Sequence, residues 1–386
     1  METLEMASFK SGEKLPPQQQ EKLESMISAI EIELSSYRQK LADGTYEMNS
    51  AQYTPEQKQH QKKIERMVKN AQALKSGKIT ESNFELDSES ISELLNRDYE
   101  SQREVITAVG LIEKLSNGQE GIRAINGQEY PFPTMDEVAE RLSAKQELIE
   151  QKLKQYENPM LMIVPIGLPL KSIRDAWKDS IVRHKTELHN PDGTVVEAGN
   201  WTLGGKEFEN TSSPLWVWDE YANADISGDL IYDLNQYDQT NHGGKTKNEI
   251  LDEIGGFSIL ITENTPNLPT DTNAKTLDGR KQLVSGLTPK EYLEAIQTNP
   301  QYSGESGLCI EEEMWYALTQ LEKEDGLVVN NYSESGKIGH AIANYFKGSG
   351  FVPGACWNRG DRRAGLDGYG SGFRDSRCSA RASVKV

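Results

Sequence analysis

The side chains able to carry out chemistry are few in this chain and poorly spaced for it. Its only cysteines are Cys309, Cys356 and Cys378, and no CxxC pair occurs among them. Neither a zinc ribbon nor a dithiol redox centre is therefore spelled out. A single Cys356–Cys378 bridge stays open, although bridges are rare outside oxidising compartments. His60, His184, His189, His242 and His340 are scattered, and no HExxH spacing places two of them on one helix face. A GxSxG nucleophile elbow is missing. His242-Gly243-Gly244-Lys245-Thr246 matches the end of a phosphate loop, but the glycine required earlier in that loop is Gln239. A turn leading into a helix is the simpler reading. Serine, cysteine and metal-based hydrolysis have no support, so no catalytic residue, cofactor or metal site is expected.

The C-terminal segment has another kind of chemistry. Phe351, Val352, Trp357, Ala364, Leu366, Ala380, Val384 and Val386 recur at intervals suited to short strands, with glycines between them for tight loops. Interleaved are hydrogen-bonding side chains and a tyrosine: Asn358, Arg359, Asp361, Arg362, Asp367, Tyr369, Ser371, Arg374, Asp375, Ser376 and Arg377. Tyr, Arg, Asp, Ser, Asn and Gly are the residues of antibody-type binding surfaces. Composition alone leaves open a glycine-rich loop held by salt bridges to an acidic body. Arg359-Gly360-Asp361, the tripeptide of integrin ligands, is too short to weigh. The whole chain carries 60 Asp+Glu against 42 Lys+Arg, a formal charge of −18. Residues 357–386 hold six Arg and one Lys against three Asp, so this segment alone is +4. An acidic bulk of this kind repels phosphate backbones and argues against nucleic acid as a partner.

The elements that must position this segment fall into two styles. In the front half, Leu23, Ile27, Ile30, Leu34, Tyr37 and Leu41 form one helical stripe. A second helix opens at Thr54-Pro55 and carries Ile64, Met67, Val68, Ala71 and Leu74. The spacing predicts a third over 88–115 and a fourth over 134–156. These could pack as a bundle or as a short coiled coil that makes homo-oligomers. Residues 1–157 thus read as a helical spacer or attachment region, and 158–386 as an irregular α+β domain. In the second part a strand is expected in the apolar run from Pro159, and a helix from Lys171 to Leu188. Strands follow at Leu215–Trp218 and Gly256–Ile261. Further helices are predicted over Pro289–Gln297, Glu311–Lys323 and Gly336–Phe346. The longest apolar run, Pro159–Leu170, contains three prolines and cannot span a bilayer. The N-terminus lacks the basic start and apolar core of a signal peptide. A soluble protein without membrane insertion is expected, with its location open between virion-associated and cytoplasmic.

Ala355-Cys356-Trp357-Asn358-Arg359-Gly360, Arg363-Ala364-Gly365-Leu366 and the closing run Ser379–Val386 resemble the end of a C-type-lectin-fold domain of the formylglycine-generating-enzyme-like branch. Ile163-Val164-Pro165-Ile166-Gly167 resembles its opening strand. Gly255-Gly256, Gly279–Leu283 and Gly304–Leu308 between them look like the variable proteins of diversity-generating retroelements in viruses, phages and small bacteria. The resemblance implies a rigid fold presenting a hypervariable region over about 356–386, in which rewritten adenines yield Asn, Asp, Ser, Gly, Tyr or Arg. It implies Trp357, Ala364, Gly365, Ala380 and Arg381 as scaffold. It implies Asn358, Arg359, Asp361, Arg362, Asp367, Tyr369, Ser371, Phe373, Asp375 and Arg377 as ligand-binding positions. The partner would be a protein or cell-surface ligand, and the arginines suit an acidic or polar epitope. Two other functions are weighed on this basis. A metal-dependent oxidoreductase of the formylglycine-generating type would need Cys356 and Cys378 to converge. A calcium-dependent sugar lectin would need a carboxylate where Trp357-Asn358 is followed by Arg359.

Overall fold

The computed structural model describes residues 91–201, 213–332 and 338–386, together with 34–46 and positions 27, 30 and 64. The chain divides into two compact units, Met1–Asp87 and Ser88–Val386. In the first, residues 34–42 are helical, and Tyr37, Tyr46 and Ile64 are buried together with Leu34 and Leu41 packed on them. The rest of the first two expected helices lies outside the described residues, and with it the coiled-coil and oligomer expectations.

The division does not fall at the expected 157/158. Helix α1 (Ile91–Ala108) places Leu94, Leu95, Val105 and Ile106 in the same core as strand β4 (Pro159–Val164), all six residues of which are buried. Asp98 and Gln102 accept hydrogen bonds from the backbone N–H groups of Leu161 and Ile163 at 2.8 and 3.2 Å. The helix thus satisfies the free edge of β4, which would otherwise present unpaired donors. Helix α1 also stops short of the expected Leu115. Gly110 takes φ +70° and the chain enters a three-stranded meander of β1 (Glu113–Lys114), β2 (Glu120–Arg123) and β3 (Glu129–Pro131). The expected fourth helix is two, α2 (Met135–Ser143) and α3 (Gln146–Gln155), the first opened by a Thr134–Glu137 capping box.

Helices α4 (Leu170–Arg183), α5 (Lys247–Ile254), α6 (Pro289–Thr298) and α7 (Ile310–Lys323) complete the longer helices. Thr246 caps α5 and Thr288 caps α6, each in a capping box with the glutamate three residues on. The Gly-Gly-Lys-Thr run is therefore a turn into a helix N-terminus.

Two main sheets and a small hairpin of β8 (Thr276–Leu277) and β9 (Arg280–Lys281) accompany these helices. The first has the order β10 (Ser306–Gly307), β17 (Ala382–Lys385), β7 (Ser258–Glu263), β4. The spine of the second is β14 (Phe351–Asn358). Strand β15 (Arg363–Gly370) runs antiparallel along one edge of it. Three short strands meet the other edge in succession: β13 (Asn344–Phe346), β12 (Ile338–His340) and β11 (Asn331–Tyr332). Beyond them lie β16 (Cys378–Ala380) on β12, β6 (Leu230–Tyr232) on β13, and β5 (Leu215–Val217) on β15. Strands β12 and β13 replace the helix expected over Gly336–Phe346. Its apolar spacing is interrupted by glycine, a poor helix former, and pairing with β14 wins. The molecule is a mixed α+β protein, and among the described residues no helix is long and apolar enough to cross a membrane.

Helix α7 touches strands of both sheets, β4 and β14, and every residue from Ile310 to Leu321 is buried. Its first turn carries Glu311, Glu312 and Glu313, and each finds its own cation. Lys247 reaches Glu311 at 3.0 Å, Lys385 reaches Glu312 at 3.3 Å, and Arg381 reaches Glu313 at 2.8 Å. Two of the three cations come from the last six residues, so burial of the helix end and docking of the C-terminal strands are one event.

Candidate functional site

The β14–β15 hairpin has two unlike faces because side chains alternate along each strand. Ala355, Trp357, Ala364 and Leu366 point into the core. The opposite face carries Gly354 and Cys356 on β14, paired with Asp367 and Gly365 on β15; Tyr369 follows two residues on. His340 of β12 stands beside Gly354, and Trp216 of β5 stands beside Gly365. A methyl group on Gly354 would lie 2.7 Å from the Tyr369 ring, whereas at Gly365 the nearest atom would be the Cys356 sulfur at 3.8 Å. The tyrosine therefore lies over Gly354, while at Gly365, itself buried, a methyl group would fit in ordinary contact with the Cys356 sulfur.

At the far end, Arg359–Arg362 make the hairpin turn, with Arg362 in the left-handed region at φ 54°. Asn358 and Asp361 bond reciprocally across it, each at 3.1 Å. At the near end, residues 371–377 fold back over the sheet. Phe373 N–H donates to Gly370 at 2.8 Å, its ring sits 5.6 Å from that of Tyr369, and Arg374 reaches Gly286 O at 2.9 Å and the Glu291 carboxylate.

Of the ten expected ligand-binding positions, Arg359, Asp361, Arg362, Phe373 and Arg377 are exposed. Asn358, Asp367, Tyr369, Ser371 and Asp375 are half-buried. The five scaffold residues Trp357, Ala364, Gly365, Ala380 and Arg381 are all buried. The ten do not form one patch. Seven residue steps along β14 separate the Asn358–Arg363 end from the Phe351–Gly370 end, about 23 Å at the usual strand rise. A tip group at 358–362 and a base group at 367–377 are linked by the glycine-floored face. Trp216, His340 and Cys356 belong to that face and were not among the expected positions. The alternation Leu215-Trp216-Val217-Trp218 is the one sequence signal for Trp216, since Leu215 and Val217 take the core side.

The arginines are largely neutralised. Arg362 pairs with Glu197 at 2.9 Å, Arg363 with Asp361 at 3.4 Å, Arg377 with Asp375 at 2.6 Å, Arg374 with Glu291, and Arg381 with Glu313. Asp367 differs. Its carboxylate accepts from Gly368 N–H at 2.8 Å, no cation pairs with it among the described residues, and burial raises its pKa. Burial also pushes the Cys356 thiol up to about 12, with Asp367 adding to the shift. Cys378 is pushed up to about 12 by burial and then by Asp375. Neither is a thiolate at neutral pH.

Cys356 and Cys378 flank Ile338 from opposite sides in the sheet register. Two strand spacings put their Cα atoms about 10 Å apart, beyond the roughly 7 Å reach of a disulfide, and both thiols are free. The bridge does not form. Among the described residues no group of three or more His, Cys, Asp or Glu is arranged to hold a metal ion.

Comparison of the chain with protein-family models, characterised proteins and solved structures gives no match.

Proposed function

We propose that this chain is a ligand-recognition protein without catalysis, of the retroelement-diversified class that its C-terminal motifs resemble. It presents the tip, glycine-floored face and 371–377 loop of the β14–β15 hairpin to a protein or cell-surface ligand. One observation supports the reading above the others. The ten expected ligand-binding positions between 358 and 377 all have some solvent access, while the five expected anchors are all buried, as are Arg363 and Ser379. Exchange at the first set leaves the second untouched, which is what a diversified surface on a fixed scaffold requires.

Two experiments test it. In the genome, a near-copy of the sequence encoding 357–386, differing mainly at adenines and accompanied by a reverse-transcriptase gene, is expected; its absence removes the diversification part. On the protein, replacing Arg359, Arg362, Phe373 and Arg377 together should leave the thermal unfolding curve in place and abolish capture of a ligand selected on the parent. Binding that survives this change would refute the surface.

A further inference from the structure

We infer that the outer face of the hairpin takes a cationic side chain of its partner, arginine in preference to lysine, on the Asp367 carboxylate. This deepens the recognition reading above and rests on it. Sequence composition points the opposite way, because a segment with six arginines suits an acidic epitope. The structure changes that arithmetic: five of those arginines pair with carboxylates, three of which belong to the scaffold.

Asp367 is the acid of this face left without a counter-ion among the described residues. It sits opposite Gly354, and the next pair along the same face is Cys356–Gly365. The Tyr369 ring covers Gly354, whereas Gly365 leaves room for a methyl group before the Cys356 sulfur, so the floor is lower on the Gly365 side. Tyr369 stands on one flank, extended by Phe373, which is 42% exposed. Trp216, half-buried, stands opposite Gly365 on the neighbouring strand. A carboxylate with Tyr369 two residues on along its strand and Trp216 on the neighbouring strand suits a cation twice over. It offers a charge-assisted hydrogen bond, and the ring faces add cation–π attraction. The planar guanidinium fits better than an ammonium because it can bond the carboxylate with two parallel N–H groups while stacking on a ring. An anionic ligand group would instead face a half-buried negative charge with no solvent to screen it fully.

A library of displayed random peptides selected on the full chain tests this. Enrichment in arginine and lysine is expected. Resynthesising the selected peptides with glutamine at those positions should weaken binding by at least about tenfold, the size of one charge-assisted hydrogen bond. Asp367→Asn should weaken the parent peptides by a similar factor and leave the glutamine peptides unchanged, the signature of a direct pair. Asp367→Ser serves as a second variant, and unfolding curves of both confirm the fold. Peptides that depend on Arg359 or Phe373 but are indifferent to Asp367, or that are enriched in acidic residues, overturn the inference and leave the recognition surface standing. A selection yielding no peptide sensitive to Arg359→Ala, Phe373→Ala or Asp367→Asn overturns both.

Discussion

His340 is fully buried beside Gly354 of the β14–β15 hairpin, and neither ring nitrogen has a hydrogen-bond partner among the described residues. Its ring meets the Tyr369 ring edge-on at 5.0 Å. Burial pushes its pKa down to about 4, with the Asp375 charge working the other way. The imidazole is therefore neutral in the folded protein at pH values where the unfolded chain, near the ordinary 6.5, already binds a proton. Stability from this group is complete above about pH 6.5 and is lost as pH falls towards 4, by about 3 kcal/mol in all. Urea titrations between pH 7 and 4 should show the loss, and His340→Leu should flatten it; an equally steep profile in the variant would assign the loss to other groups. Asp367 carries the opposite sign. A carboxyl raised by burial destabilises the folded state once ionised, so Asp367→Asn should raise Tm at neutral pH. A lower Tm would mean that the carboxylate has a stabilising partner. His340 is a lone histidine with no pattern in the sequence; Asp367 is one of the ten expected positions, but nothing there sets it apart from Asp361 and Asp375 until pairing places it opposite Gly354.

At the scale of elements, the C-terminal strands are held by buried charge as much as by apolar contact. Arg381 donates to Glu313 at 2.8 Å, to Asn330 at 3.0 Å and to Thr265 O at 3.0 Å, and its guanidinium lies 4.2 Å from the centre of the Tyr316 ring. Arg381→Met should cost about 3–5 kcal/mol, because Glu313 is left buried without its cation. Adding Glu313→Gln should recover part of that loss in chemical denaturation, and no recovery would show that packing on Tyr316 carries the cost. The hairpin glycines divide in the same manner. A methyl group at Gly368 would lie 2.1 Å from the Trp218 ring, against 3.8 Å to the nearest atom at Gly365. Gly368→Ala should therefore destabilise by about 1–3 kcal/mol. Gly365→Ala, whose methyl group would make only an ordinary contact with the Cys356 sulfur, should leave stability nearly unchanged. Much of this level was legible in advance. Trp357, Ala364 and Ala380 recur among the apolar residues spaced for short strands, Arg381 enters only through the family resemblance, and the Gly-Gly-Lys-Thr run reads as a turn into a helix. The Gly336–Phe346 segment was misread because two or three strand residues between glycines carry too little period to outweigh a helical one. Its partners on β14 come later in the chain.

The whole molecule is organised by edges that close over long sequence distances, which local patterns do not report. The sequence divides the chain at 157/158, where amphipathic helices give way to short strands. That change of style is real, yet it falls inside one core. Leu161 and Ile163 give their N–H groups to Asp98 and Gln102, Trp315 donates to Gln102 at 2.8 Å, and Lys152 reaches Glu305 at 2.6 Å with both side chains almost fully buried. A cut at 157/158 would leave β4 with an unpaired edge and Glu305 with one cation fewer, each a buried polar loss of about 1–3 kcal/mol per group. These losses compete with a total stability of about 5–15 kcal/mol. Residues 88–386 alone should therefore unfold in one cooperative transition by near-ultraviolet circular dichroism, with the β14–β15 hairpin intact. Residues 158–386 should show no such transition and should aggregate through the bared edge of β4. A cooperative 158–386 fragment would mean that the helices at 91–155 are an attachment after all, and that the recognition domain begins where the sequence changes style.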